Sequence, residues 1–106
     1  MKNKIYNNLI ELMMLPGLSG YENRVCNHIS NKLKELGLFP KKDVMGNLWV
    51  SFPGEGPNIM LFTHMDQIGF VVRKIEKNGF IRIERLGGVP ELSLIHISEP
   101  TRQIRI

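Results

Sequence analysis

A chain of 106 residues, 42% of them apolar, has room for one small domain with a thin core. The net charge of +4 is dispersed: only Lys41-Lys42 and Arg73-Lys74 place basic residues side by side, and no aromatic-interleaved basic patch exists, which argues against a nucleic-acid partner. A single cysteine, Cys26, excludes an internal disulfide, no apolar run is long enough to span a bilayer, and Met1-Lys2-Asn3-Lys4-Ile5 lacks the apolar stretch of a signal peptide, so a cytoplasmic protein without membrane contact is expected.

Ile5, Leu9, Leu12 and Met13 recur at helical spacing and predict a first helix over about Lys4 to Met14, ended by Pro16-Gly17. Ser19-Gly20-Tyr21-Glu22 has the form of a capping box, in which Ser19 accepts the Glu22 N–H and the Glu22 carboxylate reaches back to Ser19. A second helix follows. Val25, Cys26, Ile29, Leu33 and Leu36 line its apolar face, His28 lies on the polar side as a solvated residue, and Gly37 is a left-handed stop. Cys26 is expected as a buried structural thiol rather than a nucleophile.

From Leu38 the pattern turns strand-like. Leu38 to Val44 predicts a strand that Pro40 confines to an edge, and Gly46-Asn47 predicts a turn to a second strand, Leu48 to Phe52. Pro53 to Pro57 is a loop. Ile59-Met60-Leu61-Phe62 reads as the heart of a buried central strand, Asn58 to Thr63. Ile68 to Ile75 and Phe80 to Arg85 flank Asn78-Gly79, a hairpin signal. Gly87-Gly88 then reads as a backbone hinge; no helix pattern follows to make it a phosphate loop. Trp49 and Tyr21 are expected to pack.

Thr63-His64-Met65-Asp66-Gln67-Ile68-Gly69 carries the chemistry. A histidine at the end of a strand can bind a divalent ion through one ring nitrogen while a carboxylate two residues on holds the proton of the other. His64 is thus a candidate metal ligand and Asp66 a candidate catalytic, orienting carboxylate. One histidine is one ligand, and a catalytic zinc site takes three from the protein plus an open position. Asp43 and Glu22 have structural work available, at a turn and at a helix start, and are not expected to be ligands.

Leu92 to Arg102 continues neither the strand period nor a helical face. All eleven residues resemble the translation of a transposase sequencing adapter, with Gln103 to Ile106 as index sequence or read-through. Residues 92–106 are therefore expected to be a non-native tail, and His96 and Glu99 are not expected to be partners of His64.

Residues 1–91 resemble the N-terminal part of the dinuclear-metal glutamyl-aminopeptidase family, the tetrahedral aminopeptidases, whose members also carry endoglucanase labels. The resemblance rests on Leu15-Pro16-Gly17-Leu18-Ser19-Gly20-Tyr21-Glu22, Asp43-Val44-Met45-Gly46-Asn47-Leu48, His64-Met65-Asp66-Gln67-Ile68-Gly69-Phe70, and Gly79-Phe80 through Leu86-Gly87-Gly88, in order. It implies an α/β fold: residues 1–70 as the N-terminal part of a zinc-exopeptidase-like three-layer α/β/α domain, and residues 71–91 as the first hairpin of an inserted β domain serving dimerisation and oligomer assembly. It implies removal of N-terminal residues from peptides by two divalent ions, zinc or cobalt, with a glutamate as general base. His64 matches the family's first metal ligand and Asp66 the carboxylate that orients it.

Two departures stand out. Gln67 occupies a position where the family commonly has glutamate; the amide keeps shape and hydrogen bonding but not charge. The remaining ligands and the general base lie, in the family, beyond the position of Glu91. A truncated, inactive chain with at most one partial metal site is therefore expected. A sister zinc exopeptidase or deacylase, a glycoside hydrolase, and a non-catalytic interaction fragment stay open as alternatives.

Overall fold

The computed structural model describes residues 1–88, so His96, Glu99 and the tail expected over 92–106 lie outside the described residues. The chain is α/β, and its described residues form two helices followed by four strands: α1 (Lys2–Met13), α2 (Asn23–Glu35), β1 (Lys41–Lys42), β2 (Leu48–Trp49), β3 (Gly69–Ile75) and β4 (Ile81–Leu86). It divides into two compact units, Met1–Asp66 and Gln67–Ile106.

In the first unit, both helices form where the apolar period places them. The start of α2 differs from the expected capping box. Glu22 is the N-cap without a side-chain cap bond, and its Oε1 instead accepts the Gly20 N–H at 2.6 Å. The carboxylate thereby closes the Ser19-Gly20 turn rather than reaching Ser19. The end of α2 is as expected. Gly37 sits at φ +78°, its N–H donates to Lys34 O at 2.9 Å, and the Leu38 N–H donates to Leu33 O at 3.0 Å. This is the paired-bond Schellman stop, which satisfies two carbonyls that the helix leaves free.

The core is small. Among the described residues, Gly17, Val25 and Cys26 are buried, and Cys26 is the free thiol expected there. Leu36, expected on the buried face of α2, is exposed, as are Ile5, Leu9 and Met13 of α1. The α1 stripe is helical in period yet lies open, whereas the α2 stripe is covered at Val25 and Cys26 and open at Leu36. Tyr21 is likewise exposed rather than packed. His28 departs from the solvated reading: its Nε2 lies 3.3 Å from Glu11 Oε2, which also holds Lys32 Nζ at 2.8 Å. The Lys32 hydrogen bond holds the Glu11 carboxyl below its ordinary value, and its reciprocal holds the Lys32 ammonium above.

β1 and β2 pair antiparallel, Lys41 opposite Trp49 and Lys42 opposite Leu48, so each strand is far shorter than expected. Asp43 organises the turn between them. Its Oδ1 accepts the N–H groups of Met45 and Asn47, both at 2.9 Å, and its Oδ2 accepts the Asn47 side-chain amide at 2.9 Å. Gly46 takes φ +90° there. Trp49 remains half exposed, with the Lys41 ammonium 5.1 Å from its ring centroid.

The main correction concerns residues 58–63. No strand forms there, and Ile59, Met60, Leu61 and Phe62 are between 80% and 93% exposed. A strand is defined by a ladder to a neighbour, and no described strand pairs with this segment. Its apolar composition is that of a buried strand; its partners are not among the described residues.

The second unit contains the β3–β4 hairpin. Pairing runs from Gly69 opposite Leu86 to Ile75 opposite Ile81, with a bulge between Val72 and Lys74 that leaves Arg73 as the extra residue. Gly79 N–H donates to Glu76 O at 3.0 Å and Gly79 takes φ +86°, while among the described residues no non-glycine has positive φ. The turn is thus the three-residue Lys77-Asn78-Gly79 form with glycine at the left-handed position. Arg73 Nη1 lies 3.3 Å from Glu84 Oε2, and Glu76 receives both Lys74 and Arg82. The Lys74 hydrogen bond, then the Arg82 charge, keeps the Glu76 carboxyl below its ordinary value.

Candidate metal site

His64 and Asp66 lie on the irregular segment that follows the exposed apolar run, not at the end of a strand. The chain folds back on itself over two residues. Nδ1 of His64 is 3.0 Å from Asp66 Oδ1 and 3.1 Å from the Asp66 carbonyl oxygen. With the imidazole neutral, the Nδ1–H donates to both acceptors. That selects the tautomer whose lone pair is on Nε2. Nε2 has no hydrogen bond among the described residues, and the His64 side chain is 83% exposed.

This geometry suits one ligand of a divalent-ion site. The ring is oriented by a carboxylate, its basic nitrogen faces outward, and the Asp66 charge favours a cation close by. The full set is not gathered: among the described residues, no group of three or more histidine, cysteine, aspartate or glutamate side chains could hold a metal ion. The other candidates are engaged elsewhere. Asp43 is the acceptor of its turn, and its carboxyl is held below its ordinary value by the Asn47 side-chain amide and then the Asn47 N–H. Glu22 holds Gly20, Cys26 is buried in the core, and His28 meets Glu11.

Two features escaped the sequence reading. One is the Glu11–His28–Lys32 cluster. Its only sequence signal is that His28 and Lys32 are one helical turn apart and so face the same way. The other is Gly17, which reads as a helix stop but lies in the core. No local pattern announces that.

Comparison with known proteins bears on the same segments. The model of the M42 glutamyl aminopeptidase family matches residues 46–98, half of the chain, running from the Asp43 turn through His64 and Asp66 and on past Glu91 into the adapter-like stretch. Lysyl aminopeptidase of Pyrococcus furiosus is 38% identical over 81 residues, covering 76% of this chain and 23% of that protein. Among solved structures, an endoglucanase of Thermotoga maritima is similar with a TM-score of 0.62 and 42% identity, over 74% of this chain and 26% of that one. PhTET1-12s, a dodecamer in its crystal's asymmetric unit, is similar with a TM-score of 0.67 and 36% identity, over 80% of this chain and 26% of that one. The chain spans about a quarter of the length of the curated relatives it matches. No helix among the described residues is long and apolar enough to cross a membrane. With a family match over half the chain that includes the histidine–aspartate pair, the chain belongs to the M42 glutamyl aminopeptidase family.

Proposed function

We propose that this chain contributes the first metal-ligand corner of a metal-dependent aminopeptidase that removes N-terminal residues from peptides with two divalent ions, zinc or cobalt. The observation that carries the reading is the 3.0 Å contact between His64 Nδ1 and Asp66 Oδ1, inside a segment matched by the aminopeptidase family. His64 is the ligand, through Nε2. Asp66 is the carboxylate that holds the ring and keeps the Nδ1 proton in place. The ions, when bound, supply a Lewis acid for the scissile carbonyl and a water acidified for attack. The described residues provide one ligand where catalysis takes several, so the 106-residue chain on its own is inactive and binds metal weakly.

In the same reading, residues 1–70 belong to the catalytic domain and the β3–β4 hairpin opens an inserted β domain through which subunits assemble. The dodecameric relative supports assembly. A two-stranded hairpin with Phe70, Val72, Ile75 and Ile83 exposed is marginal alone and is stabilised by further strands or a partner. Residues 92–106 are, in this reading, a non-native tail on the strength of their adapter-like sequence, against which the family match over residues 92–98 counts. The location is cytoplasmic, a setting that a chain with one cysteine and no internal disulfide suits.

The test is a titration of the purified chain with zinc and cobalt, followed by the His64 ring nitrogens in NMR, beside assays on amino-acid p-nitroanilides and on cellulose. The expected result is a His64-dependent response to metal and no turnover. Turnover of a p-nitroanilide that is lost in His64→Ala would overturn the inactivity of the chain. Cellulose hydrolysis that survives a chelator would favour the glycoside-hydrolase alternative raised by the endoglucanase relative.

A further inference from the structure

We propose that Gly17 is a positioning residue for His64, acting through the space its missing side chain leaves between Val25 and the Met65 carbonyl. The proposal rests, for its metal consequence, on His64 being a ligand. Its structural part stands without that.

Gly17 is buried, and with Val25 and Cys26 it makes up the buried set of the described residues. A Cβ placed on Gly17 would meet Val25 Cγ2 at 2.7 Å, Val25 Cβ at 3.8 Å and the Met65 carbonyl oxygen at 3.6 Å. Its φ is not in the left-handed region, unlike those of Gly20, Gly37 and Gly46. Those three have open space where a Cβ would go. Backbone conformation therefore explains glycine at 20, 37 and 46, and space explains it at 17.

A 2.7 Å carbon–carbon approach cannot persist. Val25 is β-branched and sits in the first turns of α2, where one χ1 rotamer dominates, and it is only 4% exposed, so it has little freedom to swing away. With Val25 fixed, displacement falls on the loop carrying residue 17, and the Met65 carbonyl oxygen, in ordinary contact at 3.6 Å from the added Cβ, is the next atom it meets. Met65 lies between His64 and Asp66 in the chain. A shift of its peptide alters the two contacts that select the His64 tautomer, at 3.0 and 3.1 Å. Crowding at the helix core would thus reach the candidate ligand through the Met65 peptide, whose carbonyl oxygen borders the space at Gly17.

The experiment uses the 15N-labelled 106-residue chain at pH 8 and reads the His64 tautomer from long-range proton–nitrogen spectra before and after zinc is added. Wild type is expected to hold the Nδ1–H tautomer. Gly17→Ala is expected to shift the population toward Nε2–H and to weaken zinc binding about tenfold, as loss of an orienting contact does. Helix content by circular dichroism stays the same. The double variant Gly17→Ala/Val25→Ala, which removes the clashing methyl groups, is expected to restore the wild-type tautomer. Val25→Ala alone is expected to leave it unchanged. A Gly17→Ala chain with the wild-type tautomer overturns the proposal, and so does a double variant that fails to restore it. If zinc leaves His64 of the wild type untouched while the tautomer still answers to Gly17→Ala, the ligand reading fails and the positioning role stands.

Discussion

Asp66 Oδ1 lies 3.0 Å from Nδ1 of a His64 side chain that is 83% exposed. The pair is held by local backbone reversal, not by burial, and in the open its hydrogen bond competes with water. The contact is therefore sensitive to small changes in the carboxylate.

Asp66→Asn keeps an oxygen acceptor near Nδ1 but removes the charge that raises the basicity of the ring. Zinc affinity of the chain is expected to fall about tenfold to a hundredfold, with helix content unchanged. Competition against a chromophoric chelator measures it. Equal affinity of the two proteins would remove Asp66 from the role assigned to it.

Asp43 supplies a pH dependence of known sign. Its carboxyl is held below the ordinary value, first by the Asn47 side chain. A depressed folded-state pKa stabilises the turn above the unfolded value, about pH 4, and this stabilisation is lost as pH falls through the folded value. Amide exchange at Met45 and Asn47 is therefore expected to lose protection in acid beyond the intrinsic rate change. In Asp43→Asn that acid step disappears and protection is low throughout. An unchanged acid step would assign it to another group.

Gly37→Ala is expected to cost about 1 kcal/mol, because φ +78° is left-handed and strains any Cβ, although nothing crowds the position. The cost appears as faster exchange of the last α2 amides and of Leu38. A neutral result would mean the helix ends elsewhere in solution.

The run Ile59-Met60-Leu61-Phe62 is apolar, uncharged and exposed, the pattern of an aggregation-prone segment. Leu61→Lys is expected to reduce self-association of the purified chain, read by light scattering against concentration, while both helices persist. Scattering identical to wild type would place the sticky surface elsewhere, with the exposed stripe of α1 or the hairpin face as the next candidates.

Much of the molecule is decided within a few residues of chain. The apolar period of α2, the left-handed glycine that stops it, the Asp43 turn and the Lys77-Asn78-Gly79 turn each depend on contacts reached within a turn or a hairpin. The capping box failed for a local reason too: the Glu22 carboxylate found the Gly20 N–H, a partner the motif leaves out.

The His64–Asp66 pair was legible in the chain because its two members are two residues apart, so its chemistry follows from residue type and spacing. What covers an apolar face is a different question. Residues 58–63 have the composition of a buried strand, but strand formation requires a second chain segment to complete the ladder, and composition does not supply one. Gly17 reads in sequence as one more helix stop. Only the folded chain brings Val25 and Met65 against it, because packing is set by which distant atoms share a volume, and that is not a local property of the sequence.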